Sequence, residues 1–212
     1  GQLSETTHRL QRIIDTIPDA YIHKDLKLMI LSEMQKRLEK LVEVAPEQES
    51  FKKKLDSTIA MITECQNAAG KKQEPRITNP QQANEIRALL QDLTKIIESF
   101  RDTGVIPGAA ANVFLAHVHD SFVEANVSYL SLLGDQSKSE RKWKLAVHHY
   151  QKGMAELAKR NQNGRYNEKL AQMKAMCDEL NRRADEEAGV QRKTEDASEL
   201  TKGLNDLANE ED

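Results

Sequence analysis

Ile86, Leu89, Leu90, Leu93, Ile96, Ile97 and Phe100 stand three or four residues apart along the chain. That spacing returns each large side chain to one face of a 3.6-residue helix, whereas a half-buried strand needs strict alternation. The same period recurs almost throughout, and nothing else constrains the fold as much. Leu10, Ile13, Ile14 and Ile17 mark a first helix, predicted over 4–17 with Ser4 as its cap and Pro18 as its stop. Ile30, Met34, Leu38 and Leu41 mark a second over 23–44. Pro46 is expected to end it and open a third, with Glu47 and Glu49 in the first turn, where the helix dipole favours negative charge. Phe51, Leu55, Ile59 and Ile62 carry its stripe towards Cys65.

The stretch GKKQEPRIT after Ala69 is polar and lacks a period. It predicts a linker over 70–79, dividing a three-helix bundle at 1–69 from a helical domain at 80–189. Asn79-Pro80 then supplies a cap followed by a first-turn proline. The GVIPG run at 104–108 breaks the fourth helix, and a fifth is predicted over 109–133 with Phe114, Val118, Phe122, Ala125, Tyr129 and Leu132 along one side. A sixth points Trp143, Ala146, Val147, Tyr150, Met154 and Leu157 inward, and a seventh carries Tyr166, Leu170, Met173, Cys177 and Leu180. Gly189 is expected to separate an acidic C-terminal helix or tail at 190–212, with Ala197, Leu200, Leu204 and Leu207 as its apolar positions and a frayed end. The expected fold is all-α, an antiparallel bundle or stack of about seven to eight helices with short connections. A hydrophobic share of 38%, 31% charged residues and 4% aromatics suit such helices, each with one apolar stripe and a broad wet face.

Residues 127–160 carry a more specific pattern. Leu133-Gly134 is followed by Trp143, Ala146, Tyr150 and Gly153, large residues to fill a groove and small ones to admit a neighbouring helix. The spacing resembles one tetratricopeptide repeat, a helix–turn–helix unit of about 34 residues. Leu133 and Gly134 fall on that family's Leu-Gly pair, Trp143 on its turn-proximal aromatic, and Ala146, Tyr150 and Gly153 on its small–aromatic–small positions. Ser137 replaces an aromatic, Arg141 stands where the turn usually has glycine, and Ala158 replaces the closing proline. The resemblance implies a helical hairpin that binds a peptide or a helix. The family's carboxylate clamp, with Lys and Asn on the first helix, is not matched by Ser128, Ser131, Leu132 and Asp135.

Charge is unevenly spread. Residues 138–183 hold twelve Lys/Arg against five Asp/Glu, while 185–212 hold ten acidic residues against three basic. Lys138, Arg141, Lys142 and Lys144 surround one predicted turn, and Lys159, Arg160 and Arg165 the next. Merged on one surface they would neutralise phosphates, which makes a nucleic-acid-associated protein the alternative function. The ordinary reading of such runs is a solvated helix face, or a surface for an acidic partner or the chain's own tail. The formal net charge of −3 is unlike that of a dedicated nucleic-acid binder.

The residues offer little covalent chemistry. His117-x-His119 would aim two rings one way on a strand, but residues two apart on a helix diverge by about 200° and share an ion poorly. His148 and His149 likewise point apart, one beside the core and one in water. No phosphate loop, nucleophile triad or helical His-Glu-x-x-His appears. The methionines fall mostly on apolar stripes. The isolated Cys65 and Cys177 read as packed thiols of a reducing, cytoplasmic setting. No run approaches the roughly 20 apolar residues of a membrane span. A start at Gly1 rather than methionine fits a trimmed chain, so an anchor outside it would leave no trace here.

These readings converge on a non-enzymatic interaction or adaptor module without catalytic residue, metal or cofactor. It is expected to bind a peptide, a helix or a second copy of itself. The expected contact residues are Leu130, Leu133, Trp143 and Tyr150, beside the hairpin groove, or an apolar stripe left uncovered.

Overall fold

A computed structural model describes residues 1–68 and 76–209. Among these residues the fold is all-α, with seven α-helices, two single 3-10 turns and no strand. The helices are α1 (Gln2–Thr16), α2 (Lys24–Val44), α3 (Glu49–Asn67), α4 (Pro80–Asp102), α5 (Gly108–Ser139), α6 (Trp143–Lys159) and α7 (Asn167–Asn209). Contacts divide the chain into two compact units, Gly1–Tyr129 and Leu130–Asp212.

In the first unit, α2 packs against α1 and α3, and α4 against α1. Leu10 and Ile13 of α1 are fully buried, as are Leu26, Ile30, Leu31 and Met34 of α2. Ile86, Leu90, Leu93 and Ile97 of α4 are fully buried as well. The stripes of α1 and α4 and part of that of α2 are those read from the sequence; Leu26 and Leu31 join the second, and Phe51, Leu55, Ile59 and Ile62 of the third are half-buried or exposed. Local chemistry sets several of the ends. The Asn79 side chain accepts from the Gln82 N–H at 2.8 Å, and Pro80 occupies the first turn of α4. His23 caps α2, its Nδ1 accepting from the Asp25 N–H at 3.1 Å. Glu33, 4% exposed, is the charged group most deeply set in this core. It accepts from Arg37 at 2.7 Å and from Lys36 at 2.8 Å, and the Arg37 guanidinium lies 4.7 Å from the Phe100 ring centre. A buried carboxylate needs such partners, because desolvation strongly penalises it alone.

Several expectations are corrected. Ser4 lies inside α1 rather than capping it; the Gly1 carbonyl takes the Ser4 and Glu5 N–H groups. The third helix begins at Glu49, not at Pro46. Proline pushes Ala45 out of helical geometry, to φ −134°, ψ 66°, and residues 45–48 make a turn first. The fifth helix continues past Leu133 to Ser139, because Gly134 keeps helical geometry and the break waits for Arg141. Gly189 does not divide the last helix: α7 runs unbroken through it. The linker predicted over 70–79 falls, up to Pro75, outside the described residues, as do the last three residues of the predicted tail. Contacts divide the chain at 129/130, and α4, which packs on α1, belongs to the N-terminal unit.

Candidate interaction surface

The second unit is built on the packing of α6 against α7. Ala146, Val147, Tyr150, Gly153 and Leu157 are the buried positions of α6, and Met173, Cys177 and Leu180 those of α7. The end of α5 meets α6 at one tight point. A Cβ on Gly134 would lie 2.6 Å from Cε1 of Tyr150, so the aromatic ring occupies the space that any other residue at 134 would need. The Tyr150 hydroxyl donates to the Asp135 carboxylate, and Tyr150 is 2% exposed. Burial first, and then that bond, push the phenol well above its ordinary pKa.

The turn between α5 and α6 is closed by Arg141 at φ +59°, a left-handed conformation in which glycine is usual. Its guanidinium reaches Glu187 of α7. Trp143 opens α6, with the Arg183 guanidinium 5.6 Å from its ring centre. The indole Nε1 is buried without a hydrogen bond of regular geometry, and Glu187 is the acidic group beside it. Trp143 and then Arg141 hold the Glu187 carboxyl below the usual carboxylate range. Arg141, Trp143, Arg183, Glu186, Glu187, Val190 and Gln191 line a shallow open groove.

Of the expected contact residues, Leu130, Leu133 and Trp143 are half-buried, and Tyr150 is a core residue rather than a surface one. The structure does not gather the basic residues into one patch. Lys138, Arg141, Lys142 and Lys144 are exposed at the α5–α6 turn, and Lys159 and Arg165 are exposed after α6, with Arg160 half-buried. The two groups lie at opposite ends of α6, about 25 Å apart at 1.5 Å per residue. Several already have acidic partners: Arg141 with Glu187, Lys142 with Glu140, and Lys159 with Glu156 at 3.6 Å.

The histidines are placed differently from any metal cluster. In the first unit His117 stacks face to face on His23, with ring centres 3.8 Å apart and planes 8° from parallel. In-plane nitrogens of stacked parallel rings do not converge on one ion. His119 is exposed. His148 is exposed and His149 half-buried, where burial lowers the pKa of the His149 imidazole. Cys65 and Cys177 are buried free thiols, each raised in pKa by its burial. Among the described residues, no group of three or more His, Cys, Asp or Glu is arranged to hold a metal ion. No helix there is long and apolar enough to cross a membrane.

Among the described residues, an uncovered apolar stripe lies on α7. Leu180 is its last fully buried position, and every residue from Val190 to Asn209 is exposed. Val190, Leu200, Leu204 and Leu207 are 64, 68, 67 and 63% exposed. Together with Ala197 they form one helical stripe. The apolar period of 197–207 was legible in the sequence, but its exposure was not. Comparison with protein-family models, with curated proteins and with solved structures finds no match.

Proposed function

We propose that this chain is a non-enzymatic α-helical interaction module, which uses the outer stripe of α7 to hold a partner protein. The exposure of Val190, Leu200, Leu204 and Leu207 carries this reading. Contiguous apolar patches are uncommon on free protein surfaces and often mark partner sites. The helical context adds to it. Most of a helix's stability in a protein comes from packing an apolar face, yet every residue from 190 to 209 is exposed and the stretch includes Gly203, a weak helix former. The groove along Trp143 and Arg183 adjoins the start of this stripe, since Val190 belongs to both.

The test is affinity capture with the whole chain, comparing wild type with a Leu200→Glu/Leu204→Glu variant. A partner, whether a different protein or another copy of the chain, is retained by wild type and lost by the variant. Equal retention by both, or none by either, overturns the reading.

A further inference from the structure

The two faces of α7 do not coincide. Met173, Cys177 and Leu180 face α6, and Ala184 and Glu187, partly buried, continue that line. Extended further, the line meets Gln191, Thr194 and Ser198, all polar. The exposed stripe begins three residues after Glu187, at Val190, and so lies about 60° round the helix from it. It is a separate seam.

That seam follows a heptad. Val190, Ala197 and Leu204 take its first position, and Lys193, Leu200 and Leu207 its fourth. The flanking positions are small or neutral, with Gly189, Gly203, Thr194, Thr201 and Ala208, and Asp196 the exception. A partner helix can therefore come close, and few charges at the rim select or repel it. The one charge within the seam, Lys193, decides the direction. In a parallel pair, Lys193 of each chain would face the other. In an antiparallel pair of identical segments, first positions face fourth positions. Val190 then meets Leu207 of the other copy, Ala197 meets Leu200, and Lys193 lies along Leu204. Each pair of layers occurs twice, as a two-fold axis requires. The basic end, Arg192 and Lys193, then runs beside the end carrying Asp206, and Asp196 passes Gly203 rather than another acid.

From this self-complementarity we infer that the partner of the α7 stripe is a second copy of the chain, joined by antiparallel pairing of residues 190–207. The inference rests on the reading of the stripe as a partner site and names its occupant. The small apolar set makes the dimer concentration-dependent. The Lys193 stem snorkels over Leu204, keeping its ammonium in water.

Sedimentation of the full chain over a range of concentrations tests this. Wild type approaches twice the chain mass as concentration rises. Leu200→Glu/Leu204→Glu stays at the chain mass, with thermal unfolding of the packed helices unchanged. Direction is read by oxidation of Val190→Cys and Leu207→Cys chains. Their mixture gives a mixed disulfide dimer, and neither alone does so efficiently. A wild-type chain that stays monomeric, or a Val190→Cys chain that readily crosslinks to itself, overturns the proposal. A monomeric wild type that still captures a different protein through Leu200 and Leu204 overturns self-pairing alone and leaves the interaction-module reading standing.

Discussion

The Tyr150 ring fills the place where a Cβ on Gly134 would be, 2.6 Å from the nearest ring carbon. Two of the residues that give 127–160 its hairpin pattern thus specify one contact, a bare backbone against an aromatic face. The exchange Gly134→Ala therefore has two opposed effects. Alanine favours the helix by about 1 kcal/mol, but overpacking a filled site costs about 1–3 kcal/mol. Net destabilisation of the α5–α6–α7 unit is expected in urea unfolding. In a Tyr150→Ala background the clash is gone, and the same Gly134→Ala exchange should stabilise. A destabilising effect of equal size in both backgrounds would show that the ring is not the obstacle.

Tyr150 also makes this unit sensitive to alkali. Its phenol is raised in pKa by burial and by the bond to Asp135. The folded state therefore keeps a proton that the unfolded chain begins to release near pH 10. The corresponding stability is complete below that pH and is lost as pH rises through and beyond it. Tyr150→Phe should lower stability at neutral pH by about 1 kcal/mol, for the lost hydrogen bond. It should also flatten the decline of the urea midpoint above about pH 10. An unchanged alkaline slope in the variant would assign that decline to other groups.

Arg37→Ala leaves the buried Glu33 carboxylate with only Lys36, whose side chain is 62% exposed. Removing one partner of a buried ion pair costs about 3–5 kcal/mol, and the surviving lysine should bring the loss towards the lower end. Replacing both residues, Glu33→Leu with Arg37→Leu, removes the stranded charge and should restore most of the difference. Thermal unfolding of the three chains side by side reads the order directly.

At the α5–α6 turn, Arg141 holds a left-handed conformation that costs a side-chain-bearing residue about 1–2 kcal/mol. Arg141→Gly relieves it, at the loss of an exposed ion pair with Glu187 that contributes little in water. A rise in the midpoint of unfolding is expected. A fall would show that the pair and its neighbour Trp143 outweigh the backbone.

The periodicity of apolar residues by itself determined that the chain is helical, and the cap at Asn79 and the proline at 80 placed one end to the residue. These are local matters, decided within a turn or two of chain. Where helices begin and end was less legible when the decision was not local. The fifth helix was expected to end at Leu133 and Gly189 to separate two helices, yet the helices run on through Gly134 and Gly189, because glycine only weakens a helix and no left-handed turn is imposed there. The same limit applies to the candidate surface. Leu200, Leu204 and Leu207 have the spacing of core residues, and Tyr150 reads both as an inward position of its helix and as a groove residue. Tertiary packing put Tyr150 inside and left the leucines in water, since burial depends on which elements meet and not on the period of any one of them. Tyr150 meets Asp135, Arg141 meets Glu187, and His23 meets His117, across 15, 46 and 94 positions. Such pairings follow from how the helices are packed, and helical period carries no record of them.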